Sequence, residues 1–349
     1  MSLDSSSSGK PALTLLPEKV GGWKGFALRL GTFIAATSAF IAYMISMPGK
    51  SYSGTFAAPT SEELQVLANL RADTTYLAGN LGERNLDRYK NLNSAAQYVE
   101  DSFGSLGYLP QNEEFTVQGM AVRNILVEIH GGQRANEIVL VGAHYDSVYG
   151  CPGADDNATG VAALLEIARE LRGHRPSRTI RLVAWVNEEP PYFQTPTMGS
   201  WVNAKRAHQR NDNIVAAISL ETIGTYTDVP DSQHYPAGFS LFFPSKGNFV
   251  GFVGNLSSRS LVRDSIECFR KTTQFPSEGI AAPAGMTGIG WSDHWSYWQE
   301  GYPAIMISDS ALFRNPNYHK LSDTPEKLNY ESMSRVVIGI GKLVKYLGG

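Results

Sequence analysis

The 349-residue sequence holds only two cysteines, Cys151 and Cys268, too few for a disulfide framework or a thiolate zinc ribbon. One bridge at most could form, and only in an oxidising compartment. Lysine and arginine number 30 against 33 acidic residues, and no basic block interleaved with aromatics occurs, which excludes nucleic acid as a partner. The absence of an internal repeat excludes solenoids and propellers. Long apolar runs are as scarce. One stretch, Leu30 to Met47, passes without a charge until Pro48-Gly49 ends it.

A helix over that stretch would rise about 27 Å, close to the hydrocarbon thickness of a bilayer. Lys10, Lys19, Lys24 and Arg29 precede it and Lys50 alone follows closely, so the positive-inside rule leaves residues 1–29 as a cytoplasmic tail. Residues 30–47 then form a single-pass anchor, 48–60 a linker, and 61–349 one domain exported to a periplasmic, extracellular or lumenal space. A cleaved signal peptide is the alternative, but its apolar segment would be shorter and nearer the start, with a small-residue cleavage site that is not evident. A soluble helix is the third reading.

With 42% hydrophobic and 18% charged residues, the rest of the chain can bury a large core. Residues 61–108 read as helical, opened by Thr60 and Glu63 at capping-box spacing. Short β-branched and apolar runs follow at 122–129, 138–143, 179–186, 214–220 and 304–308, alternating with helical patterns at 158–171, 199–207 and 333–346. This alternation predicts an α/β fold, a three-layer sandwich whose mixed, mainly parallel central sheet is flanked by helices, plus the N-terminal transmembrane helix. Residues 225–290 read instead as long aromatic and Gly-rich loops able to roof a pocket.

Acidic residues gather where these strands end. His144 and Asp146 follow one apolar run, Glu188 and Glu189 the next, and Glu221 a third, while GADDN occupies 153–157. In open α/β sheets the ligand crevice lies beyond the carboxyl ends of the strands, so these side chains share one region. Unpaired carboxylates crowded into a partly buried crevice would repel and take up protons unless a divalent cation lay among them. Imidazole and carboxylate donors without thiolate suit catalytic zinc.

Each group also has a plainer reading. Asp155, Asp156 or Asn157 could cap the following helix, Glu188-Glu189 could be a solvated turn, and His144 could be a satisfied core histidine. Four such motifs in order, each at or soon after a strand end, argue for the site. Asp146, two residues beyond His144, can accept its second ring N–H and fix the tautomer. Cys151 adjoins the loop but is not needed as a ligand.

The motifs VGAHYDSV (141–148), GCPGADDNATGVAALLE (150–166), NEEPPYF with MGS (187–193, 198–200), SLETIG (219–224), SDHWSYW (292–298) and YHKLSDTPEKLNYESM (318–333) resemble the co-catalytic zinc aminopeptidases of metallopeptidase family 28. Relatives of that family include glutaminyl cyclases and glutamate carboxypeptidases. The likeness covers about residues 90–346 and implies two zinc ions per chain. Asp156 would bridge them, with Glu189 and His319 completing one site and His144 and Glu221 the other. Glu188 matches the general base that takes a proton from a metal-activated water attacking a peptide carbonyl, and Tyr318 matches a tyrosine that donates to the oxyanion. Asp293 and His294 are read as outer support, not ligands. Glu221 departs from the family's frequent aspartate, which puts the second metal position in doubt. The expected activity is removal of N-terminal residues from peptides. The alternatives are a one-zinc glutaminyl cyclase-like acyltransferase, a carboxypeptidase, and an ectodomain that binds without catalysis.

Overall fold

The computed structural model describes residues 23–349 apart from Ala237, so most of the tail expected at 1–29 lies outside the described residues. Helix α1 (Trp23–Ile45) is exposed along most of its apolar length. Its segment Gly25–Ile45 is long and apolar enough to cross a membrane. Residues 44–349 form a separate compact unit.

In that unit Thr60 and Glu63 form the expected reciprocal capping box for α2 (Ser61–Thr74), at 3.1 and 2.7 Å. The helical run then breaks, through a widened turn over 75–81, before α3 (Tyr89–Ser105). Next come β1 (Gln111–Val117), β2 (Met120–Ile129), β3 (Arg134–His144), α4 (Gly160–Glu170) and β4 (Arg178–Trp185). After α5 (Gly199–Gln209) and β5 (Asn213–Glu221) the chain forms β6 (Val250–Asn255), α6 (Arg259–Thr272) and β7 (Ser277–Ala282). It finishes with α7 (His294–Gln299), β8 (Ala304–Ser308), the short α8 (Ala311–Arg314) and α9 (Tyr330–Gly348).

The eight strands make one sheet in the order β1-β2-β4-β3-β5-β8-β6-β7. Neighbours β4-β3, β3-β5, β5-β8 and β6-β7 are parallel, and the other three pairs are antiparallel. Both faces of the centre are covered, which is why β3 reads as a continuous apolar run. Val139, Val141 and Ala143 join the larger core with α4 and α9, while Ile138 and Leu140 join a second core with residues of α5 and α7. A three-layer sandwich results, with the carboxyl ends of β4, β3, β5 and β8 along one edge.

Residues 225–290 are not all loop, contrary to expectation. They contain β6, α6 and β7, whose pattern is masked by glycine. Gly254 is required by packing: a Cβ there would sit 2.6 Å from Val262 of α6. Segment 46–51 lies along the outer edge of β7, where the Ser277 amide donates to Ser51 Oγ (2.9 Å) and Arg270 to the Pro48 carbonyl (2.9 Å). Cys151 and Cys268 are both buried and free, so the possible bridge does not form.

Candidate metal centre

The aligned strand ends bring His144 and Glu221 together. These are the last residues of neighbouring parallel strands, and His144 Nε2 lies 3.4 Å from Glu221 Oε2. Glu221 Oε2 also accepts from Ser292 Oγ (2.6 Å). On the other side of β3 the chain leaving β4 turns through Asn187, at φ 59°, into Glu188 and Glu189. The Asp146 carboxylate holds this turn, accepting the amides of Glu188 (3.1 Å) and Glu189 (3.2 Å), and lies 3.5 Å from His144 Nδ1.

The loop at 153–157 supplies the remaining acid. Gly153 has φ 64°, and a Cβ there would meet the Asp156 carbonyl at 2.3 Å, so only glycine fits. Asp155 turns away, accepting from the Gly224 amide (2.9 Å), Thr225 Oγ1 (2.7 Å) and Asn315 (2.7 Å). Asn157 does take the capping part, accepting from the Gly160 amide (3.1 Å), and it ties the loop to β5 through the Leu220 carbonyl (2.8 Å). Asp156 is left to face the crevice. Its Oδ1 lies 3.3 Å from His144 Nε2 and its Oδ2 2.9 Å from His319 Nε2. His319, at φ 56° and stacked on Tyr318 with ring centroids 3.9 Å apart, brings Nε2 within 3.3 Å of Glu189 Oε2.

Two groups follow, His144-Asp156-Glu221 and Asp156-Glu189-His319, each with ligand atoms within 4.8 Å of one another and with Asp156 in common. The five side chains expected as ligands therefore converge. Glu188 faces the same space, with Oε2 3.9 Å from His144 Nε2.

The electrostatics fit a cation. Burial, together with neighbouring acids, pushes Glu188 well above the usual carboxylate range and Glu189 up to about 8. Burial also raises Glu221. Asp156 is held low despite its burial by His144 and His319. Burial opposes a charge on His319, yet Asp156 and Glu189 raise it to about 10. Neither His144 Nε2 nor His319 Nε2 has a hydrogen-bond partner, although each points at carboxylate oxygens. Buried nitrogen and oxygen donors arranged in this way match the coordination chemistry of zinc.

Asp293 lies buried at the start of α7, within the field of His144 and Glu221, and burial raises it to about 7. His294 does not support the site. Its Nε2 lies 2.7 Å from the Ile289 carbonyl and its ring packs edge-on to Trp298, so it fastens the preceding loop.

Two supports escaped the sequence reading. Asp323 accepts the amides of Asp155 (3.0 Å) and Asp156 (3.2 Å), fixing the loop from below. Its place four residues after His319 is the one available signal. Arg84 gave none, being a lone arginine before the recognisable motifs. It is wholly buried and donates to the carbonyls of Leu77 (3.1 Å), Gly82 (2.9 Å), Tyr145 (2.9 Å), Pro152 (2.5 Å) and Gly153 (3.0 Å). One guanidinium thus joins the widened turn to both loops that carry His144, Asp146 and Asp156.

Beside Glu221 and Tyr318 opens a cavity of about 140 Å³, walled mainly by apolar residues including Phe239, Phe243, Phe252, Met306 and Phe313. Loop residues from 233–249 and 286–291 roof it, in keeping with the sequence expectation for this region.

A fold and a site of this kind define the metallopeptidases built on a mixed sheet. The family model for peptidase family M28 matches residues 124–344, and the chain belongs to that family. It is 36% identical over 280 residues to the uncharacterized protein YfbL of Escherichia coli K12, covering 78% of this chain and 85% of that one. Among solved structures it is similar to BSAP, a zinc aminopeptidase from Bacillus subtilis. There the TM-score is 0.65 at 14% identity, over 80% of this chain and 94% of that one. The glutaminyl cyclase of Bacteroides thetaiotaomicron also shares the fold, with TM-score 0.59 at 16% identity over 83% and 99% of the two chains.

Proposed function

We propose that this chain is a two-zinc aminopeptidase that removes N-terminal residues from peptides. One observation carries the reading: Asp156 directs one carboxylate oxygen at each of two histidines and so unites two three-residue groups. His144, Asp156 and Glu221 would hold one ion, and Asp156, Glu189 and His319 the other. Zinc bound there would supply Lewis acidity, polarising the scissile carbonyl and easing the loss of a proton from the attacking water.

The chain's own groups perform the remaining steps. Glu188, kept off the ligand set by the turn that directs Glu189 inward, takes the proton of the attacking water and returns it to the leaving amine. Burial and the surrounding acids keep the Tyr318 phenol protonated, which suits it to donate to the oxygen that becomes negative. Asp146 orients both His144 and the acidic turn. The apolar cavity beside Glu221 receives the first side chain of the peptide. The apolar N-terminal helix anchors the protein, with the basic tail in the cytoplasm and the catalytic unit exported.

Elemental analysis of the full chain in detergent, paired with hydrolysis of aminoacyl anilides, tests this reading. Two zinc ions and anilide turnover are expected. One zinc with ammonia released from N-terminal glutamine identifies a cyclase, cleavage that requires a free C-terminus identifies a carboxypeptidase, and no bound metal identifies a binding module. Glu188→Gln should keep both ions yet lose about 10²–10⁴-fold in kcat, and full activity in that variant would refute the assignment.

A further inference from the structure

The cavity beside the metal centre has an acid at each end of its floor. In the strand register Glu221 pairs with Ser308, Ser308 with Gly251, and Gly251 with Glu278. Paired residues in a sheet present their side chains on one face, and all four line the same cavity. Three strand steps separate the two glutamates, about 14 Å between their Cα atoms. The two residues between them, a serine and a glycine, leave a trough free of bulk. Its walls include Val253, Ile280 and Met306.

Glu278 is poorly paired for a carboxylate in such surroundings. The Arg270 guanidinium comes no closer than 3.9 Å to its Oε2. That guanidinium is committed elsewhere, to Ser277 Oγ (3.1 Å), the Ser277 carbonyl (2.6 Å) and the Pro48 carbonyl (2.9 Å). Burial raises the Glu278 carboxyl above its ordinary value in spite of Arg270 and Ser51, a cost that an incoming cation would offset.

We propose that Glu278 determines specificity, selecting peptides whose first residue is lysine or arginine. This rests on the aminopeptidase reading given above. The α-amine stays at the Glu221 end, and the methylenes lie along the apolar walls, as long cationic side chains do on other apolar surfaces. An extended lysine side chain reaches about 6 Å from its Cα. With the metal position and the α-amine at one end and a salt bridge at the other, it fits the interval between the two carboxylates. A leucine side chain fills the walls but adds no cation to the distant Arg270 and the Ser51 hydroxyl that Glu278 already has.

The test compares kcat/KM for lysyl, arginyl and leucyl anilides in the full chain, for wild type, Glu278→Gln and Glu278→Leu. Wild type should prefer the two cationic substrates. In Glu278→Gln the lysine-to-leucine ratio should fall about tenfold or more, chiefly through KM, and further in Glu278→Leu. Calorimetry supplies a second readout: free L-arginine should bind wild type more tightly than L-leucine, and the substitutions should remove that difference. A wild type that prefers leucine, or a ratio that all three proteins share, overturns the inference while leaving the aminopeptidase reading intact. Failure to cleave any anilide, leucyl included, refutes both.

Discussion

Replacing Arg84 with methionine keeps much of the side chain's length but removes every donor. Of the five carbonyls it serves, those of Leu77, Tyr145 and Gly153 are bonded in fully buried surroundings, and those of Gly82 and Pro152 lie where water can substitute. A buried acceptor left unmade costs about 1–3 kcal/mol, so three cost about 3–9 kcal/mol, against a total stability of about 5–15 kcal/mol. Taking about 6 kcal/mol as the middle of that range, and about 2 °C per kcal/mol for a large domain, the melting temperature should fall by about 12 °C. Arg84→Lys, with three donors, should recover part of the loss. Calorimetric melting with and without added zinc reads the stability, and chelator competition reads the metal affinity. Asp146, Asp156 and Asp323 all lie within the field of Arg84, so loss of its charge alone would tighten cation binding. If Arg84→Met melts with wild type and binds zinc more tightly, the arginine acts as a charge and its carbonyl bonds do not hold the loops together.

Asp323→Ala strips the acceptor from two amides of the metal loop and should weaken zinc binding about 10–100-fold, measured by the same chelator competition. Burial holds His294 down to about 4, from an ordinary 6.5, so the folded state resists its protonation. Its contribution is complete above about pH 6.5 and is lost as pH falls through 4, about 3 kcal/mol in all. Denaturant titrations should show the stability gap between wild type and His294→Gln narrowing over that window, and a constant gap would refute the cause given.

The cluster of acids at the strand ends was legible because parallel strands covered on both faces are nearly pure apolar runs and acids directly after them stand out, whereas the parts expected of Asp156 and His319 came only from the family resemblance. His144 and Glu221 could be placed from that contrast alone. Capping gave a sound reading of Thr60, which is exposed and local, whereas the part of Asp155 depends on Thr225 and Asn315, far along the chain. The strands β6 and β7 went unread because Gly251, Gly254 and Gly279 dilute their β signal, and the need for glycine at 254 exists only once α6 lies against the sheet. Arg84 serves backbone carbonyls, which carry no residue identity, so nothing in the surrounding letters marks it.

The two three-residue groups draw on residues from 144 to 319, and the one carboxylate they share lies early in that span. A nascent chain released as far as β5 already carries Asp156 but lacks His319, and so holds an incomplete constellation. The two groups are therefore brought together only when the segment carrying His319, in the last tenth of the polypeptide, has docked against the loop of Asp156.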